Sequence, residues 1–394
     1  MPYSPDDRDK VQRQLAVLAK STTFAAAPQL ANLLAYLVAA ELNNTSHELN
    51  QTRIAMDVLG RRADFDAATD AIVRVEAGRL RTKLREYYAA EGAEDQIRFD
   101  VPKGRYSPKI HVGVPQSPAA AQQIRFLKSP DGTSLAYAVS GKGMQLVKAA
   151  NWLSHLEFDH QSPVWRHWWR ELSARYQLIR YDERGCGLSD WDVEFSFESW
   201  LEDLEAVIER AVAGRFVLLG ISQGAAVAIA YAVKHPERVS HLILYGGFAQ
   251  GHLTWSKEVV DTIRGLIRIG WGSDHPIFRK VFASLFRPEG TPEQFDSFDA
   301  LQRVSASPEN AEKFFETFYS LDVLEPASRV KVPTLVLHAK DDLMVAVSQA
   351  RLLATTIPNA RLVLLESRSH ILGEAEPAWP RFLQEIQTFL TEYQ

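Results

Sequence analysis

The residues best placed to do chemistry lie in three short stretches. "FVLLGISQGAAVAIAYAVKHPERV", residues 216–239, sets Ser222 between Gly220 and Gly224, where an apolar strand-like run gives way to helical spacing. A strand-to-helix turn that sharp needs glycine on either side of the serine, where a side chain would collide, and it lifts the hydroxyl above the sheet. A G-x-S-x-G alone is weak, because a small residue at a tight turn gives the same pattern. The other two stretches supply candidate partners. "LVLHAKDDLM" puts Asp341 and Asp342 after another apolar run, and "LVLLESRSHIL" puts His370 after the next.

These residues need a sheet to hold them. From residue 123 onward, "QIRFLKS", "SLAYAVS" and "QLVKAA" are separated by the turns "PDG" and "GKG", an antiparallel start. "YQLIRYD", "RFVLLGI", "HLILYGG", "PTLVLHA" and "ARLVLLE" then each follow a helical stretch, the pattern of βαβ units in a parallel sheet. That makes eight strands, with Ser222 after the fifth, Asp342 after the seventh and His370 after the eighth. In such sheets reacting groups gather at the carboxyl ends of the strands.

A chain of 394 residues, 46% hydrophobic and 24% charged, has room for two domains and a sizeable core. "HVGVPQSPAAAQQ", residues 111–123, carries two prolines and an alanine run and divides the chain as a linker between residues 1–110 and 124–394. The first 120 residues hold 16 Lys+Arg against 15 Asp+Glu, whereas the whole chain carries a net charge of −5, so the acidic excess lies in the second part. The one cysteine, Cys186, excludes an intramolecular disulfide and suits a reducing compartment; it reads as a small packed residue. The polar start "MPYSPDDRDK" has no apolar h-region and no run approaches membrane-spanning length, so a cytoplasmic protein without membrane contact is expected.

The order Ser, Asp, His at these strand ends resembles the α/β-hydrolase family over residues 123–394. "YDERGCGLSD" at 181–190, "HPERV" at 235–239 and "KVPTLVLHAKDD" before the acid agree with it. The resemblance implies an α/β fold, with an eight-stranded, mostly parallel sheet, a helical lid and a Ser222, Asp342, His370 triad. Ser222 would attack a carbonyl, His370 would take and return its proton, and Asp342 would hold the imidazole tautomer. Asp341 is the rival acid, and register favours Asp342. No metal or cofactor is expected. Many relatives carry His-Gly where this chain has "AANWLSHLEFDH", so the oxyanion hole is expected from the backbone N–H groups of Gln223 and Trp152, with Asn151 in place of a flexible glycine. His155 and Glu157 are candidate substrate contacts on that loop.

Between the sixth and seventh strands, residues 247–330 include "VVDTIRGLIRIGWG", "HPIFRKVFASLF" and "AEKFFETFYSLDVL", apolar at i, i+3 and i+4, and read as helices roofing a pocket. Trp152, Trp165, Trp168 and Trp169, together with lid aromatics, offer an apolar binding site, although most such residues belong to a core.

Residues 1–110 pose a separate question. "PQLANLLAYLVAAELN" and "NQTRIAMDVLG" are helical runs; "ATDAIVRVEAGRLRTKLREYYAAEG" is a third, with Ile72, Val75, Leu80, Leu84 and Tyr88 on one side. "DQIRFDVPKGRYSPKI" alternates, turns at Pro-Lys-Gly and alternates again, which gives a β-hairpin. "VRVEAGRLRTKL" and "VPKGRYSP" are similar to the recognition helix and wing of the OmpR/PhoB family of DNA-binding domains, which implies a smaller α+β winged helix-turn-helix. Arg74, Arg79, Arg81 and Arg85 are then the groove candidates, and Lys103 and Arg105 the phosphate contacts of the wing. A basic helix is more often a solvated face, and Glu76 and Glu86 allow that here.

The expectation is a one-component transcriptional regulator, a homodimer on duplex DNA, whose hydrolase domain binds and hydrolyses an apolar ester, thioester or lactone effector. The alternative is a serine esterase or lactonase whose first domain is an interaction or oligomerisation module.

Overall fold

The protein is described here by a computed structural model, over residues 5–62, 65–66, 70–89, 91–92, 95, 97–102, 105–112, 122–271 and 283–392. It divides into two compact units, Met1–Pro118 and Ala119–Gln394. Most of the expected linker (113–121), Lys103 of the hairpin turn, residues 272–282 of the lid and the side chain of Arg85 lie outside the described residues.

The first unit is helical and then turns back as a hairpin. Helices α1 (Pro5–Lys20), α2 (Thr22–Ala25), α3 (Pro28–Leu42), α4 (Gln51–Asp57) and α5 (Ile72–Ala89) precede strands β1 (Ile97–Asp100) and β2 (Lys109–Val112). Asn50 starts α4 by accepting from Arg53 N at 2.9 Å. The two strands pair antiparallel in the register Ile97↔Val112 to Asp100↔Lys109. Leu30, Leu33, Leu34 and Leu37 of α3 meet Val73, Leu80, Leu84 and Tyr87 of α5 and Phe99 of β1 in one apolar cluster. The face of α5 differs from the sequence expectation. Val73, Ala77, Leu80, Leu84 and Tyr87 are buried while Val75 is 51% exposed. Spacings of 4, 3, 4 and 3 keep that set on one stripe, and Val75 falls outside it with Arg74 and Arg79.

The second unit is built on an eight-stranded sheet. Its strands are β3 (Gln123–Lys128), β4 (Ser134–Ser140), β5 (Gln145–Lys148), β6 (Gln177–Tyr181), β7 (Phe216–Ile221), β8 (Val239–Tyr245), β9 (Thr334–Ala339) and β10 (Arg361–Leu365). Their spatial order is β10-β9-β8-β7-β5-β6-β4-β3. Pairs β3/β4 and β4/β6 are antiparallel and the other pairs parallel. Every residue of β7 and of β9 is buried, because a parallel sheet covered on both faces leaves no solvated side to carry polar residues.

The covering helices are α6 (Leu156–Gln161), α7 (Arg166–Arg175), α8 (Phe197–Ala211), α9 (Gly224–Lys234), α15 (Val347–Thr356) and α16 (Ala378–Glu392). Between β8 and β9 lie α10 (Gly251–Thr254), α11 (Lys257–Gly270), α12 (Pro292–Ser305), α13 (Pro308–Ser320) and α14 (Leu324–Ser328), in the segment expected to form the lid. Trp165 and Trp169 stack at 5.2 Å, and Trp168 packs on Trp379, Phe382 and Tyr245 with centroids 4.8, 4.9 and 5.4 Å away. These three tryptophans are core, not pocket lining.

Candidate active site

Ser222 stands between β7 and α9 with φ +53°, in the left-handed region that an L-residue enters at a cost of about 1–2 kcal/mol. The turn closes only around glycine. A Cβ at Gly220 would lie 2.6 Å from Ala225 Cα, and one at Gly224 2.5 Å from Ala150 O. The strained turn leaves Ser222 half-buried at the first turn of α9, where the positive end of the helix dipole favours developing negative charge.

The strand ends bring the other residues to it. Ser222 N donates to Tyr245 O of β8 at 2.9 Å. The next residue, Gly246, has φ +60°, and a Cβ there would lie 3.0 Å from His370 Cε1 and 3.3 Å from its Nδ1. Thus the imidazole rests on the end of β8, beside the strand that carries the serine. His370 Nδ1 and Asp342 Oδ2 are 2.7 Å apart and both side chains are buried. His370 Nε2 is buried with no hydrogen-bond partner among the described residues.

Of the two adjacent aspartates, Asp342 meets the histidine, and Asp341 is exposed. Asp342 Oδ1 accepts from Met344 N at 2.8 Å and Val345 N at 3.0 Å. Burial by itself would raise this carboxyl, but the neighbouring His370, its hydrogen bond, His338 and the Val345 N–H together hold it below the ordinary aspartate value. His338, fully buried, approaches the same carboxylate at 3.8 Å and bonds Val345 O at 2.9 Å.

The loop after β5 departs from expectation. Trp152 N is not open to a ligand: it donates to Gln223 Oε1 at 3.1 Å. The other end of that amide, Nε2, donates to Glu183 Oε1 and Oε2 at 2.9 and 3.2 Å. His155, a candidate substrate contact, caps α6, its Nδ1 accepting from Phe158 N at 3.3 Å, and Glu157 is exposed. Asp182 ties this loop to the 185–189 turn by accepting from Leu156 N and Leu188 N at 3.1 and 2.9 Å. Arg184, buried, clamps the same turn through Asp203 at 2.6 Å and Asp131 at 2.7 Å.

Glu183 and its surroundings form a buried ionisable cluster that reading the sequence passed over. Burial pushes Glu183 up to about 8 against the pull of Lys148, and pushes Lys148 down to about 8. Burial likewise raises Asp159 to about 7, although Arg180 draws it the other way. The available signal is the run of three charged residues, Asp182, Glu183 and Arg184, directly after an apolar strand run.

Aromatic side chains pack against Trp152 and against the His370 ring. Trp152 stacks on Trp271 at 5.6 Å and meets Phe315 and Phe318 of α13 edge-on at 5.0 and 5.9 Å. Phe286 lies 5.6 Å from the His370 ring, and its carbonyl accepts from His370 N at 2.9 Å.

The basic residues of the first unit are placed differently from one another. Arg74 and Arg79 are exposed on α5, with Arg79 Nη1 2.9 Å from Glu76 Oε1. Arg105 is exposed in the hairpin loop. Arg81, expected to reach toward bases, instead folds onto that loop, donating to Val101 O, Pro102 O and Arg105 O at 2.6, 2.9 and 3.5 Å. No helix among the described residues is long and apolar enough to cross a membrane.

Comparison with known proteins agrees with this geometry. A sequence model of the alpha/beta hydrolase fold matches residues 158–377. The pyrrolizixenacetamide deacetylase of Xenorhabdus hominickii is 28% identical over 261 residues, covering 65% of this chain and 94% of the deacetylase. The pimeloyl-(acyl-carrier protein) methyl ester esterase of Nitrosomonas europaea is 25% identical over 245 residues, 60% of this chain and 92% of that enzyme. Among solved structures, an esterase from Exiguobacterium antarcticum shares the fold with a TM-score of 0.56 at 24% identity, covering 68% of this chain and 100% of its own.

Proposed function

Since this chain belongs to the alpha/beta hydrolase fold family and is a serine hydrolase acting on ester-type bonds, we propose that Ser222, His370 and Asp342 are its triad and that its substrates are apolar esters, thioesters or lactones. The observation that carries this reading is the buried His370–Asp342 pair at 2.7 Å, whose Nε2 has no partner, beside the strained Ser222 turn. In the reaction, His370 Nε2 takes the Ser222 proton as Oγ attacks the carbonyl carbon. Asp342 keeps the remaining ring proton on Nδ1 and stabilises the imidazolium. The tetrahedral oxyanion is held by the backbone N–H of Gln223, and that of Trp152 can join it only when the Gln223 side chain releases it. Collapse expels the alcohol or thiol, which receives the proton from His370; water then attacks the acyl-enzyme through the same base.

The aromatic side chains of Trp152, Phe286, Phe315 and Phe318 support an apolar acyl or alcohol group. The test is labelling of the full chain with a fluorophosphonate together with turnover of short p-nitrophenyl esters. Labelling that maps to Ser222 and vanishes in Ser222→Ala is the expected result; equal labelling in that variant overturns the assignment.

A second reading concerns the first unit. Its helices followed by a hairpin, with Arg74 and Arg79 on the solvent side of α5, support a winged-helix module on duplex DNA and hence an effector-responsive regulator. It stands behind the esterase reading. The unit carries almost balanced charge, Arg79 is paired with Glu76, and Arg81 is committed to the hairpin. An interaction or oligomerisation role uses the same surface without DNA. Steeply salt-dependent binding of duplex DNA separates the two.

A further inference from the structure

A backbone N–H has one proton, and the one on Trp152 is already engaged by the Gln223 side chain, at 3.1 Å. The Trp152 N–H can only donate, so the amide oxygen must face it, and the NH₂ group at the other end faces Glu183, whose oxygens lie 2.9 and 3.2 Å from Gln223 Nε2. Gln223 and Glu183 are each 2% exposed, so no solvent competes for either contact. In the site as it stands, a carboxamide oxygen occupies the donor that the acyl oxygen of a substrate would need. The residue that supplies one main-chain donor of the oxyanion hole thereby blocks the other with its own side chain.

We propose that the Gln223 carboxamide is an internal occupant of the oxyanion site, held there by Glu183, and that the tetrahedral intermediate gains its second donor only when this amide yields Trp152 N–H. The proposal rests on the assignment of Ser222 as nucleophile. Glu183 is in this scheme a positioning residue, acting on the reaction through Gln223 without touching substrate. The amide competes most where the acyl oxygen carries most charge, so its effect falls on the transition state and on kcat more than on KM.

The experiment compares full-length wild type with Gln223→Met, which keeps the side-chain volume and the main-chain N–H and removes the amide. Steady-state hydrolysis of p-nitrophenyl acetate is measured beside the inhibition constant of a trifluoromethyl ketone, whose hemiketal oxyanion occupies the same donors. The expected result is a kcat about 3- to 10-fold above wild type, KM changed less than twofold, and ketone affinity tighter by the same factor as kcat, the size set by one neutral hydrogen bond. Glu183→Met, which leaves the amide present but unheld, should move both readings the same way by a smaller factor, and it stands as the test if Gln223→Met does not fold. A fall in kcat and in ketone affinity, or no change in either, overturns the proposal. If wild type itself shows no Ser222-dependent fluorophosphonate labelling, the nucleophile assignment fails and this proposal falls with it.

Discussion

His370 and Asp342, which are 28 residues apart and follow different strands, meet at 2.7 Å with both side chains buried, while Asp341, one residue away, is exposed. Two carboxylates adjacent in sequence therefore have separate fates. Replacing Asp342 by Asn leaves a group that can donate to Nδ1 and so favours the wrong tautomer, and kcat on p-nitrophenyl esters is expected to fall on the order of 10³- to 10⁴-fold. Asp341→Asn should stay within twofold of wild type. Equal losses in the two variants would remove Asp342 from the triad.

Gly246 is the floor on which the His370 ring rests. A Cβ there meets the ring at 3.0 Å and the residue has φ +60°, so Gly246→Ala adds backbone strain of about 1–2 kcal/mol and displaces the imidazole. The expected outcome is a kcat loss of about 10- to 100-fold, since a small misplacement of a proton-transfer group is costly, with Tm lowered by a few degrees. Gly265, inside α11 with nothing within 4 Å, provides the contrast. Gly265→Ala should raise stability by about 0.5–1 kcal/mol and leave kcat alone. Thermal melts and initial rates on the same preparations check both.

Glu183 sets the sign of a pH effect on stability. Its folded value, about 8, lies above the unfolded 4.5, so between these limits the folded state holds a proton that the unfolded chain has lost, and stability falls as pH rises. The charged groups acting on it are Lys148, Asp203 and Arg184. His167, pushed down to about 4, has the opposite sign but acts below pH 6.5, and Lys148, at about 8, acts above pH 8. Asp159, pushed up to about 7, has the same sign as Glu183 but is largely spent by pH 7, so from pH 7 to 8 the second unit should lose about 1 kcal/mol through Glu183, or a few degrees in Tm. Glu183→Gln should flatten that slope. A slope of the same size in the variant would assign the effect to other groups.

The parts of the fold legible in the sequence are those with short-range causes. The strand runs, the glycines around Ser222 and the order of the three strand ends follow from local sterics and burial on both sheet faces, and they place the sheet and its carboxyl edge. What was missed is of two kinds. Helix α12 opens on "TPEQ", in which Thr291 accepts from Gln294 N and Gln294 Oε1 from Thr291 N, a start signal that was present and went unread. The face of α5 was misjudged because Val73 and Val75 are equal by hydrophobicity; what separates them is tertiary, with Tyr87 rather than Tyr88 buried at 2% and set edge-on to Phe24 of α2. The second kind has no local signal. Contact between Gln223 and Trp152, 71 positions apart, depends on side-chain torsions and on Glu183 behind them. Arg81 belongs here too: a basic residue on a basic helix looks the same in sequence whether it faces solvent or grips a neighbouring turn.

That last contact separates structure from recognition in the first unit. The Arg81 guanidinium spans three carbonyls of the hairpin loop, those of Val101, Pro102 and Arg105, and so ties α5 to the turn between β1 and β2. Hydrogen bonds from a charged donor contribute about 1.5–3 kcal/mol, and Arg81→Ala leaves these carbonyls without that donor. Amides of residues 97–112 should then exchange faster and the first unit should melt several degrees lower, with ester hydrolysis unchanged. Arg81→Lys should fall between, because an ammonium cannot fork across several acceptors as a guanidinium does. If the unit binds duplex DNA, Arg74→Ala/Arg79→Ala should weaken binding and reduce the slope of log affinity against log salt by about 2, with no change in hairpin exchange. Arg81→Ala should weaken binding only in step with hairpin opening. Loss of sequence preference in Arg81→Ala with hairpin exchange at the wild-type rate would mean that the arginine leaves the loop to reach the bases.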